Sequence, residues 1–108
     1  MKLLFAIVQD EDANKVMNGL NKKGFMVTKL SSTGGFLKSG NTTLFMGVEE
    51  EKINEVLSII ESRSKSRKAL MNMNSSIAGG AMMLPATAEI TVGGATVFIL
   101  NIEDYRKF

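Results

Sequence analysis

Two stretches of this chain share one order, an apolar strand, then a cluster of acids, then an amphipathic helix. Together they predict an α+β fold, the β-α-β-β-α-β sandwich of the ferredoxin-like class, with both helices on one face of an antiparallel sheet. The first stretch is Leu3 to Val8, Asp10 to Asp12 and the stripe Ala13, Val16, Met17 and Leu20. The second is Thr42 to Val48, Glu49 to Glu51 and the stripe Ile53, Val56, Leu57 and Ile60. Size agrees: 108 residues, 44% apolar and with one proline, suffice for one domain over residues 1–108 that buries about two thirds of its unfolded surface.

Leu3 to Val8 is apolar on both parities, so as a strand it needs cover on each face. Asp10, Glu11 and Asp12 suit the positive end of a helix, Lys22 and Lys23 its last turn, and Gly24 the left-handed position beyond it. Phe25 to Ser32 reads as a second strand, with Phe25, Val27 and Lys29 on one face and Met26, Thr28 and Leu30 on the other. Thr42 to Val48 is the third strand, and Gly47 within it signals a bulge or a close approach to the backbone. After the second helix, Ser64 to Pro85 reads as one long connection with Gly79-Gly80 and Met71, Met73, Met82 and Met83, suited to a mobile, adaptable contact surface. Glu89 to Val92 and Ala95 to Ile102 then supply the last strand, with Gly93-Gly94 as a bulge or hairpin bend. Helices on one face leave the other bare. The apolar residues there call for a second subunit to cover them.

Composition excludes whole classes of function. With neither cysteine nor histidine, thiol nucleophiles, histidine triads and structural zinc all disappear. Glu89, Glu103 and Asp104 have no visible partner constellation, so the chain is read as a non-enzyme with no metal and no cofactor. The net charge is +2, from 13 basic and 11 acidic residues, and only Arg63, Lys65, Arg67 and Lys68 cluster. That is too little positive charge, with too few aromatics, for a polymeric nucleic acid partner. The opening apolar run is stopped by Gln9-Asp10-Glu11-Asp12, too short for a membrane span, and a cytoplasmic location is expected.

The segment Thr33-Gly34-Gly35-Phe36-Leu37-Lys38-Ser39-Gly40-Asn41-Thr42-Thr43 is where recognition is expected. Its glycines let a ligand approach the backbone, Phe36 offers a flat apolar face, and Asn41 carries a paired donor and acceptor. A plain turn between strands needs fewer parts. Gly35, Gly40 and Thr42 have the spacing of a phosphate-binding loop, but Asn41 replaces its lysine and no helix follows, which disfavours triphosphate hydrolysis.

That segment, with Phe5-Ala6-Ile7-Val8-Gln9-Asp10 and Gly93-Gly94-Ala95-Thr96-Val97-Phe98, resembles the PII-like cyclic di-AMP receptor proteins over nearly the whole chain. The resemblance implies a homotrimer of ferredoxin-like subunits that binds the second messenger cyclic di-AMP at subunit interfaces, switches loop conformation and catalyses nothing. A downstream protein partner reached through the mobile loops is also expected. Carried over by position, Gly35, Phe36 and Leu37 lie against the ligand and Asn41 reads an adenine. Thr28 donates to a phosphate, Gly47 admits the nucleotide to the third strand, and Phe98 lies near the second base. At Met26 the family commonly has an arginine, a phosphate partner absent here, for which Lys29 or Lys38 is a candidate substitute. The alternative is a PII-type sensor of ATP and 2-oxoglutarate, but the loop here is short and lacks the tyrosine of those proteins. A metal-tolerance trimer of the same fold is disfavoured by the missing histidine and cysteine.

Overall fold

The computed structural model describes residues 1–30, 40–72 and 87–108. Its elements are β1 (Lys2–Gln9), α1 (Asp10–Lys22), β2 (Thr28–Leu30), β3 (Asn41–Val48), α2 (Ile53–Ser64, preceded by a 3-10 turn at Glu50–Lys52), β4 (Arg67–Asn72), β5 (Thr87–Val92) and β6 (Ala95–Asn101). Four strands form an antiparallel sheet in the order β2-β3-β1-β6, and β4 pairs with β5 in a second, two-stranded sheet. Two helices against the larger sheet are compatible with a ferredoxin-like fold.

Alternation along β1 and β3 builds the core. Leu4, Ala6 and Val8 from β1 and Leu44, Met46 and Val48 from β3 are buried against Ala13, Val16 and Leu20 of α1 and Val56 and Ile60 of α2. Both helical stripes therefore turn inward as their spacing requires. Gly24, at φ +86°, ends α1, and the amides of Lys23, Gly24 and Phe25 bond back to Leu20 and Asn21. That commits the Phe25 amide to the helix end, which is one reason β2 starts only at Thr28 rather than at Phe25. Phe25 and Val27 instead pack against the core.

The structure corrects four expectations. Residues 67–72 of the long connection are strand β4, and 73–86, with Met73, Met82, Met83, Gly79-Gly80 and Pro85, lie outside the described residues. Thr87–Val92 does not extend the last strand, because it pairs with β4, and only β6 joins β1. Gly93-Gly94 is consequently neither bulge nor hairpin bend but the point where the chain passes from one sheet to the other, at φ +81° and +95°. A Cβ on Gly93 would lie 2.7 Å from the Lys65 carbonyl oxygen, so the passage is closed to larger residues. Gly47 makes no bulge either, since the β1–β3 register runs unbroken from Lys2 opposite Val48 to Gln9 opposite Asn41.

One buried charge ties the two sheets together. Asp12, in the first turn of α1, is fully buried and accepts hydrogen bonds from Arg67 at 2.8 and 3.3 Å, with Lys15 at 3.2 Å. The Arg67 fork holds the Asp12 carboxyl below the usual carboxylate range, against the opposing effect of burial and with help from Lys15. Asp12 in turn raises the Arg67 guanidinium.

Asp12→Asn is expected to destabilise the fold by about 1 to 3 kcal/mol near neutral pH, because the buried end of a charge-assisted pair becomes a neutral amide. The sign with pH follows from the lowered carboxyl. Its contribution is complete above the unfolded value of about 3.9 and is lost as pH falls through the folded value. Urea melts at neutral and strongly acidic pH check this: the gap between parent and variant should close in acid, and an unchanged gap would assign the loss to packing.

Candidate functional site

In the pairing register, Thr28 of β2 stands opposite Phe45 of β3, Phe45 opposite Phe5 of β1, and Phe5 opposite Phe98 of β6. Directly paired residues share a face, so these four form a single row across all four strands. The row is on the side away from the helices, because Leu4, Ala6, Leu44 and Met46, its sequence neighbours, fill the core. Phe5 and Phe45 stack with ring centroids 5.8 Å apart. Parity puts Asn41, Thr43 and Gly47 of β3 on this face too.

Of the expected site residues, Thr28, Asn41, Gly47 and Phe98 thus share a face without meeting in one pocket. Asn41 and Gly47 are six residues apart along β3, about 20 Å at the rise of a strand. Thr28 and Phe98 are on opposite edges of the sheet, three strand spacings or about 14 Å apart. Gly35, Phe36, Leu37 and Lys38 lie outside the described residues. Lys29 pairs with Leu44 and so is on the other face from Thr28, where it does not replace the arginine missing at Met26. Met26 itself is 89% exposed.

Asn41 is the most firmly placed of the set. The amide of Asp10 donates to the Gly40 carbonyl at 2.8 Å, and the Thr42 hydroxyl donates to the Asp10 carboxylate at 2.5 Å. Both neighbours of Asn41 are therefore held by one aspartate, and its own backbone pairs with Gln9. A recognising amide needs such fixity, since a side chain hung on a loose strand end loses its geometry on binding.

Sequence reasoning passed over three residues here. The Thr43 hydroxyl is buried and has no hydrogen-bond partner among the described residues, two positions beyond Asn41 on the same face. A buried hydroxyl left this way costs free energy until something bonds it, and the Thr-Thr pair after Asn41 was the available signal. Phe5 and Phe45 were read only as apolar strand residues. Their place in the Thr28 to Phe98 row depends on register, which hydropathy does not reveal.

Among the described residues, nothing shields this face. Phe98 is 52% and Leu100 45% exposed, beside half-buried Leu3, Phe5 and Ile7. Among the described residues, no helix is long and apolar enough to cross a membrane.

Comparison with known proteins gives this face a context. A solved structure from Pediococcus pentosaceus ATCC 25745, described as a functionally unknown protein, is 42% identical, with 99% of this chain and 96% of that chain covered and a TM-score of 0.79. The family profile described as Cyclic-di-AMP receptor matches residues 1–108, the whole length. On that match, the chain belongs to the cyclic-di-AMP receptor family.

Proposed function

We propose that this protein is a signalling receptor that binds cyclic di-AMP between copies of itself in a homotrimer and catalyses no reaction. The carrying observation is that Thr28, Asn41, Gly47 and Phe98 share one uncovered sheet face in a chain of the cyclic-di-AMP receptor family. Their spread supports an intersubunit site. A ligand that contacts Asn41 at one end of β3 and Gly47 at the other does so most simply by taking them from different copies. Apposed copies also cover Phe98 and Leu100, whose exposure is costly for a soluble monomer.

In this arrangement Asn41 pairs with an adenine edge, Thr28 donates to a phosphate, and Phe98 lies against the second base. Thr43 adds a hydroxyl that ligand or a second copy satisfies. Gly35, Phe36 and Leu37 close over the ligand from the loop, and closure changes the surface offered to a downstream protein partner. No cofactor is required, since binding alone changes the loop. The setting is cytoplasmic, where the messenger is made and read.

Four outcomes follow. Light scattering at micromolar concentration is expected to give three copies, and a monomer would remove the intersubunit site. Calorimetry should give saturable binding of cyclic di-AMP in preference to cyclic di-GMP, with no heat from ATP or 2-oxoglutarate. Asn41→Ala is expected to cost about 1 to 3 kcal/mol and to blur adenine against guanine, whereas Phe98→Ala should weaken both ligands by about 1 to 3 kcal/mol. Both variants should remain trimeric, and wild-type affinity in both would place the site elsewhere. Met26→Arg, which returns a charged phosphate partner beside Thr28, should tighten cyclic di-AMP binding by about tenfold or more, measured by the same titration.

A further inference from the structure

On the helical side, away from the row of Phe5, Phe45 and Phe98, the chain has a second feature that cyclic di-AMP recognition does not use. An open cleft of about 440 Å³ is lined by Lys15 of α1, Ser62 and Arg63 at the end of α2, Lys65 beyond it and Arg67 of β4. Four of its five lining residues are cations. We propose that this cleft is a binding site for a compact phosphate anion of the oligophosphate class.

The first support is that the cleft is built rather than left over. Gly19 is buried in the interior of α1, where alanine would favour the helix by about 1 kcal/mol. A Cβ there would lie 2.5 Å from Arg63 Nε and 2.7 Å from its Cδ. The helix omits a side chain at the spot where Arg63 docks, and Nη1 of Arg63 reaches the Lys15 carbonyl at 3.4 Å. Arg67 is aimed just as definitely, by the two oxygens of Asp12 and by the Lys65 carbonyl at 3.2 Å. Two arginines are thus held beside two lysines; Asp12 takes the Arg67 fork, and Arg63 with Lys65 supplies the fork and point charge that suit phosphate oxygens.

The second support is charge. Asp12 supplies one negative charge and is occupied by Arg67 and Lys15. The C-terminal dipole of α2 adds about half a charge, and Glu11 is near enough to favour the Arg67 cation. Four positive charges against about two and a half leave a net surplus of about one and a half, which favours an anionic phosphate group. Among the described residues the lining contains no aromatic ring, so they give a nucleobase no stacking surface. The recognised part is the phosphate itself, and a short chain of phosphates spans the four cations better than one.

The test is calorimetry of the full chain with tripolyphosphate, pyrophosphate, inorganic phosphate, citrate and an acidic peptide. The expected result is one saturable site per chain, tightest for tripolyphosphate, and weakened about tenfold or more by Arg63→Gln and by Lys65→Gln. Both substitutions are on exposed surface, and circular dichroism melts confirm that each variant is folded. Their cyclic di-AMP titrations should match the parent, which separates this site from the one on the sheet. Gly19→Ala, which displaces the Arg63 side chain, should reduce tripolyphosphate affinity while Lys65 is intact. Absence of saturable tripolyphosphate binding at millimolar concentration, undiminished binding in Arg63→Gln and Lys65→Gln, or equal affinity for citrate or the acidic peptide would each overturn the proposal.

Discussion

The four residues from Gln9 to Asp12, where β1 turns into α1, hold together the parts of the fold that neither sheet could hold alone. The Gln9 side-chain oxygen accepts the Gly93 amide at 2.8 Å, Asp10 clamps Gly40 and Thr42, and Asp12 takes Arg67. One corner therefore touches the start of β3, the passage between the sheets and the start of β4. Its chemistry explains why it does not slip. A buried carboxylate is tolerable only when fully paired, so Asp12 ties the Arg67 strand to α1. The strand end that carries Asn41 and the hairpin that starts at Arg67 are consequently anchored within three residues of each other.

A sheet with helices on one side only must find another use for its second side. Here that side carries Leu3, Phe5 and Ile7 on β1, Phe45 on β3, and Phe98 and Leu100 on β6, an apolar surface with threonines at its margin. The combination is unusual for a face meant purely for water and equally unusual for a dry core. Polar groups at Thr28, Asn41 and Thr43 beside stacked rings fit a surface that closes partly on protein and partly on a ligand with aromatic and anionic portions.

Much of this was legible in the sequence, for reasons specific to each element. The helices were readable because Ala13, Val16, Leu20, Val56 and Ile60 are spaced at 3.6 residues and because acids precede them while Gly24 follows the first. The uncovered face was readable because β1 is apolar on both parities. The hairpin of β4 and β5 was not. Arg-Lys-Ala-Leu-Met-Asn has no clean alternation, and its pairing with Thr87–Val92 is a long-range contact that neither strand announces. Asp12 was rightly read as a helix-start acid, but its second role was hidden for a related reason. Placed among Asp10 and Glu11 it looked like one more helix-start acid, and only Arg67, distant in sequence, makes it a buried anchor. At the site, residue types were legible and register was not, so Thr28 and Phe98 could be named without knowing that Phe5 and Phe45 bridge them.

The junction at Gly94 reaches beyond the present chain. The Gly94 amide donates to the Ser64 carbonyl, so the whole excursion from Lys65 to Gly93 leaves and rejoins the frame at one hydrogen bond. A segment whose ends are already together can be lengthened cheaply, since each doubling of a loop costs only about 0.6 kcal/mol in closure entropy. The excursion is therefore modular. Arg67 and Gly93 must stay to meet Asp12 and Gln9, and Lys65 to line the basic cleft, while the frame itself sets no further demand on the length between Arg67 and Gly93. Changes in the excursion therefore leave the pairing of the four-stranded sheet untouched.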